Sequence, residues 1–324
     1  MNRKARWAAP LILTALMLLL FLIPVFVKAT YVLHILIMVA VNVILASSLR
    51  LIATSGQLSL GHGGMMAIGA YTSALLVMKL GFSTWATLPA AGLATGGIAV
   101  LVGYPFTRLR RIYFTMVTIF FAEVIRLIIE QWRELTGGTS GLLNIPRPNT
   151  IFAFGFVGID FTSRAHFYYL ILVMVLITLL VLYALEHSRI GLTLYSIQQA
   201  DLLAESVGIN TTRFKVIVFG IGSFFAGVAG AFYSHYMAVL TPTSFGVFYA
   251  INILVYMVVG GMGRFSGPII GALVLTVLPE SVRVLKEYQP FVFAGVMMLT
   301  VLFLPEGLVG LPERLRRLVK ERLR

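Results

Sequence analysis

Glu123 and Arg126 are the residues whose chemistry stands out, because both lie within an apolar run, FFAEVIRLIIEQW. They are three positions apart and share one face of a helix, and Glu130 follows one turn later. A charge at the centre of a bilayer costs at least about 2.5 kcal/mol, so such residues pair with one another or face an interior cavity. The pattern predicts either an internal ion pair that orients one helix or the lining of a polar pathway.

Further polar candidates lie where a glycine-rich segment, TSGQLSLGHGG at Thr54 to Gly64, interrupts the apolar sequence. It contains Gln57, Ser59 and His62, and Asn252 is a comparable residue in a later apolar run. Non-helical backbone at membrane depth is tolerated only where protein or a water-filled cavity satisfies its polar groups. These four side chains are therefore candidates for a substrate pathway, and interhelical hydrogen bonds are the alternative role.

A second glycine-rich segment, GGMGRFSGPIIGA, spans Gly260 to Ala272. Pro268 suits the first turn of a helix, and Gly263, Gly267 and Gly271 are spaced to let another helix approach closely. Paired interruptions in the two halves of a chain indicate the substrate route of a transporter and suggest an internal repeat. Tight helix packing without a pathway is the alternative explanation.

Covalent chemistry has little support in the sequence. Ser140 lies in a Gly-x-Ser-Gly run that an intramembrane serine hydrolase can carry, but it falls in an expected aqueous loop rather than at the start of a buried helix. Cysteine is absent, the five histidines lack metal-ligand spacing, and no G-x-x-x-x-G-K-[ST] loop is present to bind ATP. The sequence predicts neither a catalytic residue nor a metal site.

The elements that position these residues are predicted to be transmembrane helices. Hydrophobic residues make up 59% of the chain and charged residues only 11%, and many apolar runs approach the length that crosses a bilayer. We predict an all-α polytopic helical bundle of about ten spans, or eight if the short glycine-rich runs are broken or re-entrant. The runs are 8–27, 31–52, 61–80, 85–104, 112–131, 165–185, 214–237, 247–263, 267–282 and 289–305.

The basic residues predict the orientation of these spans. With ten spans and both termini in the cytoplasm, most of the 25 basic residues fall on the inside, as the positive-inside rule requires. This arrangement is a single transmembrane domain over residues 1–324, whose first apolar run is a retained span. It has an outside loop at 132–164, an inside loop at 186–215 and a basic inside tail at 306–324, which we expect to contact anionic lipid headgroups.

The inside loop from Glu186 to Lys215 is unusually polar for this chain and keeps a helical pattern. Its apolar positions recur at helical spacing, and Gly208 suits a C-terminal cap. An amphipathic linker on the membrane surface would explain the pattern, and so would a short helix docked in a groove of another protein. The apolar positions are Ile197, Ala200, Leu203, Ala204 and Val207.

Five segments together resemble the permease subunits of bacterial high-affinity branched-chain amino acid ABC importers, specifically the M-type (LivM-like) subunit. They occur in family order and span most of the chain from about residue 40 to 310. Arg111 stands where the family commonly has glycine, and the run that begins at Gln198 replaces a more charged one. The segments are SGQLSLGHGGMMAIGAYTSAL, RIYFTMVTIFFAEVIR, TGGTSGLLNIP, SRIGLTLYSIQQADLLAESVGIN and YMVVGGMGRFSGPIIGA.

The resemblance implies a permease in a bacterial plasma membrane that carries leucine, isoleucine or valine inward. It implies an H-type permease, two cytoplasmic ATPases that bind ATP and Mg, and an external substrate-binding protein as partners, with no nucleic acid. The inside loop then becomes the coupling segment, in which Gly191, Ala204, Glu205 and Gly208 contact the ATPase. Relatives for urea, amides or other amino acids remain an alternative. An ion-coupled secondary transporter that uses Glu123 is another.

Overall fold

The computed structural model describes residues 19–26, 29–109, 111–153, 157–281, 289–304, 307–311 and 314. Most of these residues are helical, and the strands among them form two small antiparallel pairs. This confirms the predicted all-α polytopic bundle. The tail at 306–324 and the first half of the run at 8–27 lie largely outside the described residues, so the expectations for them stay predictions.

The helices follow the apolar runs of the sequence closely. Among the described residues, seven segments are long and apolar enough to cross a membrane, and α12 and α13 are shorter apolar helices. The exact number of spans between eight and ten remains a prediction. The helices are α1 (19–26), α2 (Thr30–Ala53), α3 (His62–Leu80), α4 (Thr84–Phe106), α5 (Arg111–Gln131), α6 (Arg133–Thr136), α7 (Arg164–Glu186), α8 (Arg189–Gln199), α9 (Asp201–Ser206), α10 (Thr211–Met237), α11 (Val247–Gly260), α12 (Gly267–Ser281) and α13 (Gln289–Phe303).

Contacts between helix termini define the two ends of the bundle. At one end, Arg50 near the end of α2 pairs with Glu186 at the end of α7, immediately before α8 and α9. At the other, Arg164 at the start of α7 donates to the carbonyl of Thr30 at the start of α2. We call the first the coupling end, since it carries the segment 186–215, and the second the opposite end.

The interior is built around α10, which packs along α3 and α4. The helix backbones approach so closely that a Cβ on Gly69 of α3 would overlap the backbone of Gly227 in α10. Likewise, a Cβ on Gly230 would overlap the carbonyl oxygen of Met66. Small residues at such crossings permit close van der Waals contacts between helices. These contacts hold helices together in lipid, because the hydrophobic effect does not drive their association there. These three helices therefore form one closely packed unit.

The segment between α5 and α7 covers the opposite end. Strand β1 (Leu142–Leu143) pairs with β4 (Val239–Leu240) just after α10, and β2 (Ile151–Ala153) pairs with β3 (Val157–Ile159). Ser140 is exposed in a short 3₁₀ helix, Gly138–Ser140. Among the described residues, the hydrogen bonds of the five histidines go to partners other than Ser140, so none of these contacts supplies a histidine base to that serine.

Candidate functional site

The coupling segment consists of two short helices, α8 and α9, joined at Ala200. The sequence pattern predicted one helical run from 197 to 207, which is wrong, because Ala200 adopts an extended backbone (φ −152°, ψ 86°) that ends α8 and begins α9. Neither glycine nor proline marks the break, so propensity gave no signal for it. Gly208 is the predicted cap, and it closes α9 in a left-handed conformation (φ +88°).

Apolar side chains divide between the two faces of this segment. Leu194, Ile197 and Ala204 are buried against the bundle. A second set of large apolar side chains faces outward although it lies beyond the spans, and each member is at least 60% exposed. A group of exposed large apolar side chains on a polar segment is typical of an interaction surface. We call this set the coupling patch: Leu192, Tyr195, Leu202, Leu203 and Val207.

Polar contacts fix α9 to the start of α10. Lys215 Nζ lies 2.5 Å from Asp201 Oδ2, and Thr211 donates to Glu205 Oε1 over 2.6 Å. Glu205, a predicted partner contact, therefore already holds a hydrogen bond within the chain. These contacts join α9 directly to the start of α10.

Two further predicted coupling residues pack within the chain. A Cβ on Gly191 would overlap the carbonyl oxygen of Glu186, so glycine lets α8 fold back tightly on the end of α7. Ala204 is 5% exposed and faces the bundle. These two positions shape the segment, whereas the exposed surface belongs to the coupling patch.

A charged contact that sequence reasoning missed joins three elements at the coupling end. Arg50 in α2 donates from Nη1 and Nη2 to the two carboxylate oxygens of Glu186, both over 2.7 Å. Its Nε donates to the carbonyl of Met262 between α11 and α12, and its guanidinium lies 5.7 Å from the centre of the Phe265 ring. The sequence signal that could have found this ion pair is the opposite charge of two residues at the ends of apolar runs that are predicted to end on the same side of the membrane.

The two positions where the sequence departs from the family pattern lie in contact. Arg111, at the start of α5, donates to the carbonyl oxygen of Gln198 over 3.2 Å, in the last turn of α8. Such a contact satisfies a free carbonyl at a helix C-terminus and places a cation at the negative end of the helix dipole. The Gln198 side chain donates to the carbonyl of Ala53, which adds a contact with α2.

The polar segment between α2 and α3 is buried, and helix α5 satisfies part of its backbone. Leu60 donates its N–H to Thr118 Oγ1, and Thr115 donates to the carbonyl of Leu58. Among the pathway candidates, Gln57 donates to the carbonyl of Thr107, and Ser59 accepts from a neighbouring backbone N–H. Both are at most 2% exposed, so they pack inside this chain.

His62 is the first residue of α3 and contacts Ser48 of α2. Its Nε2 lies 2.9 Å from Ser48 Oγ, while Nδ1 is buried without a hydrogen-bond partner among the described residues. Asn252 lies half-buried on α11, and its side chain makes no hydrogen bond with a described residue. No hydrogen bond among the described residues joins Asn252 to His62.

The second glycine-rich segment packs backbone against backbone at the coupling end. A Cβ on Gly267 would overlap the carbonyl of Gly261, and one on Gly271 would overlap the carbonyl of Tyr256. Gly263 differs, because no atom lies within 4 Å of its Cβ position. The packing role of Gly263 therefore stays a prediction. Pro268 occupies the first turn of α12.

The charged residues of α5 form a triad along one helix. Arg126 Nη2 lies 2.6 Å from Glu123 Oε1, and its Nη1 lies 2.5 Å from Glu130 Oε2. Their side chains are 20% to 35% exposed, and α5 is the least buried of the seven membrane-spanning segments. Exposed apolar residues such as Phe120 and Val124 lie on the same helix. The predicted ion pair is therefore present, and it faces the outside of this chain.

Comparisons with known proteins agree with this geometry. A profile of the family described as "Branched-chain amino acid transport system / permease component" matches residues 31–302. Over 291 residues the chain is 33% identical to the LivM permease protein of Salmonella typhimurium, covering 84% of this chain and 68% of that protein. Identity to LivM of Escherichia coli K12 is also 33%, covering 80% and 65%.

A more distant relative is the LivH permease protein of Salmonella typhimurium, at 26% identity over 80% of this chain and 87% of that protein. No solved structure matches the chain significantly. The profile match extends over most of the described helices, including α2, the coupling segment and the α11–α12 junction. The chain therefore belongs to the family of permease components of branched-chain amino acid transport systems.

Proposed function

We propose that this chain is the M-type permease subunit of an ABC importer that moves leucine, isoleucine and valine inward. Its partners are an H-type permease, two ATPase subunits and an external substrate-binding protein. The ATPases bind ATP and Mg, and this chain performs no covalent chemistry. The observation that carries the proposal is the coupling patch, because it presents large apolar side chains to a soluble partner from a segment fixed to the spans.

The orientation follows from the charge asymmetry of the loops, which puts the coupling end in the cytoplasm together with both termini. There an ATPase subunit receives α8 and α9 in a groove, as amphipathic helices are received in other complexes. On α8 the exposed residues that flank the patch, Gln199 and Arg189, are polar. We therefore expect the ATPase to present polar groups around the rim of its groove.

Transmission to the spans runs through contacts already described. Arg50 connects the end of α7 with α2 and with the α11–α12 junction, so a displacement of α8 moves three parts of the bundle together. Closure of the ATPases on ATP would then tilt these spans and alternate access to the route. Such a shift needs only a difference in affinity of the ATPase for the two arrangements.

The route itself lies between the charged face of α5 and the second permease subunit. Glu123, Arg126 and Glu130 would be costly against lipid, so a protein partner or water must cover them. A branched-chain amino acid carries an ammonium and a carboxylate, and the triad offers groups of both signs. Gln57, Ser59, His62 and Asn252 remain candidates for nearby parts of the route.

The test is reconstitution of the permease pair with ATPases and binding protein in vesicles, followed by leucine uptake and ATP hydrolysis. We expect Leu203→Asp combined with Val207→Asp to abolish ATPase docking and uptake. Leu203→Met combined with Val207→Ile, which changes the same two side chains but keeps them apolar, serves as the control. Full uptake by the double variant, or uptake without any ATPase subunit, would refute the proposal and favour an ion-coupled transporter.

A further inference from the structure

A basic cavity lies at the coupling end where α4 ends and α10 begins, and none of its lining residues belongs to the coupling patch or the α5 triad. Its volume is about 650 Å³. Arg108, in the turn after α4, and Arg213 of α10 line it, together with Asn210 and Thr212 at the start of α10. No acidic residue lines the cavity, so its charge is uncompensated within the described chain.

The two arginines are available to a ligand. Arg108 donates to the hydroxyl of Tyr104 and lies over that ring, 4.3 Å from its centre, which fixes the guanidinium beside the cavity and leaves other N–H groups free. Arg213 makes no side-chain hydrogen bond or ion pair with a described residue. Guanidinium groups bind phosphate through paired hydrogen bonds, and the positive end of the α10 dipole adds to the attraction.

An apolar strip continues from the cavity along the membrane-spanning part of α4. Leu93, Val100, Leu101 and Tyr104 recur at helical spacing, and each is 47% to 78% exposed. On α10, Ile217 lines the cavity floor. A phosphate site that opens directly onto exposed apolar helix surface at the membrane boundary has the chemistry of a lipid headgroup site rather than that of a site for a soluble anion.

We propose that this cavity binds the headgroup of an anionic phospholipid of the cytoplasmic leaflet, with the acyl chains along the exposed strip of α4. The phosphate contacts Arg108 and Arg213, and the lipid joins the end of α4 to the start of α10. Because α10 follows the coupling segment directly, the bound lipid stabilises the helix that receives the displacement of α9.

The experiment is native mass spectrometry of the full-length chain in neutral detergent, titrated with phosphatidylglycerol or with phosphatidylcholine. We expect phosphatidylglycerol to bind at least tenfold more tightly. The double variant Arg108→Gln and Arg213→Gln should lose roughly 25-fold in affinity, from about fivefold per arginine. Arg189→Gln removes an exposed charge at the same end outside the cavity and should bind phosphatidylglycerol as the unchanged chain does.

A second arm separates a lipid from other occupants. Ile217→Trp narrows the apolar floor and should weaken phosphatidylglycerol binding while both arginines remain. Equal binding of phosphatidylglycerol to the double arginine variant and the unchanged chain would overturn the proposal. The proposal would also be overturned if glycerol phosphate in solution raised the melting temperature of the chain as much as phosphatidylglycerol does. Loss of ATPase docking by the double arginine variant in lipid-free detergent would identify an acidic protein surface as the occupant, with the same consequence.

Discussion

The Arg50–Glu186 ion pair gives the sharpest prediction, because it can be removed and then rebuilt with reversed charges. Both hydrogen bonds measure 2.7 Å, and the side chains are 7% and 25% exposed. Removing one partner of a fully buried pair costs about 3 to 5 kcal/mol. Since water reaches Glu186, we expect Glu186→Ala to destabilise the chain by about 2 to 3 kcal/mol.

The functional consequence is a loss of coupling rather than a loss of ATP hydrolysis. Arg50→Ala and Glu186→Ala break the connection of α7 to α2 while leaving the coupling patch in place. In vesicles with the full importer, each should lower leucine uptake per ATP hydrolysed, while hydrolysis itself continues. Melting temperature in detergent reports the stability change independently of any partner.

The double variant Arg50→Glu and Glu186→Arg should recover part of both quantities. Recovery is incomplete, because the reversed pair cannot donate from residue 50 to the carbonyl of Met262 or lie against Phe265. A cycle of Arg50→Ala, Glu186→Ala and the double alanine variant isolates the pair's interaction, which we expect at about 1 to 2 kcal/mol. Purely additive effects in both stability and coupling would refute a direct connection between these helices.

Three further predictions follow from the same packing. Gly69→Val should prevent folding, because its Cβ would overlap backbone atoms of α10. Gly97→Ala, with open space at its Cβ position, should be neutral or stabilising by up to about 1 kcal/mol. The yield and melting temperature of the two variants test this difference. Gly208→Val forces a left-handed backbone on a branched side chain, costing about 1 to 3 kcal/mol, and should increase proteolysis of the coupling segment. Arg126→Gln leaves Glu123 unpaired and should reduce uptake at least tenfold without changing ATPase docking, as measured by uptake and co-purification.

The sequence predicted the spans because each buries a continuous apolar surface, and mean composition over some twenty residues is enough to locate it. It also predicted the α5 ion pair, since positions three and four apart on a helix meet without help from tertiary structure. Local chemistry therefore accounts for much of the fold and for Glu123 and Arg126.

Features that depend on distant parts of the chain were beyond that reasoning. Arg50 finds Glu186 across 136 positions, and its role emerges only when α2 and α7 end at the same level. The turn at Ala200 is imposed by contacts of α8 with α2 and α5 rather than by its own residue type. For this reason, the segment was expected as one helix and its outward face was assigned only in part.

The close approach of α3, α4 and α10 limits where the protein can deform. Backbones that meet at Gly69, Gly227 and Gly230 cannot slide past one another without steric overlap. Spin labels placed on α3 and α10 should therefore report a constant separation throughout a transport cycle, whereas a label on α12, which packs on α2 and α11, should change its distance to both. The transporter would then work by rocking one stiff block against its movable neighbours.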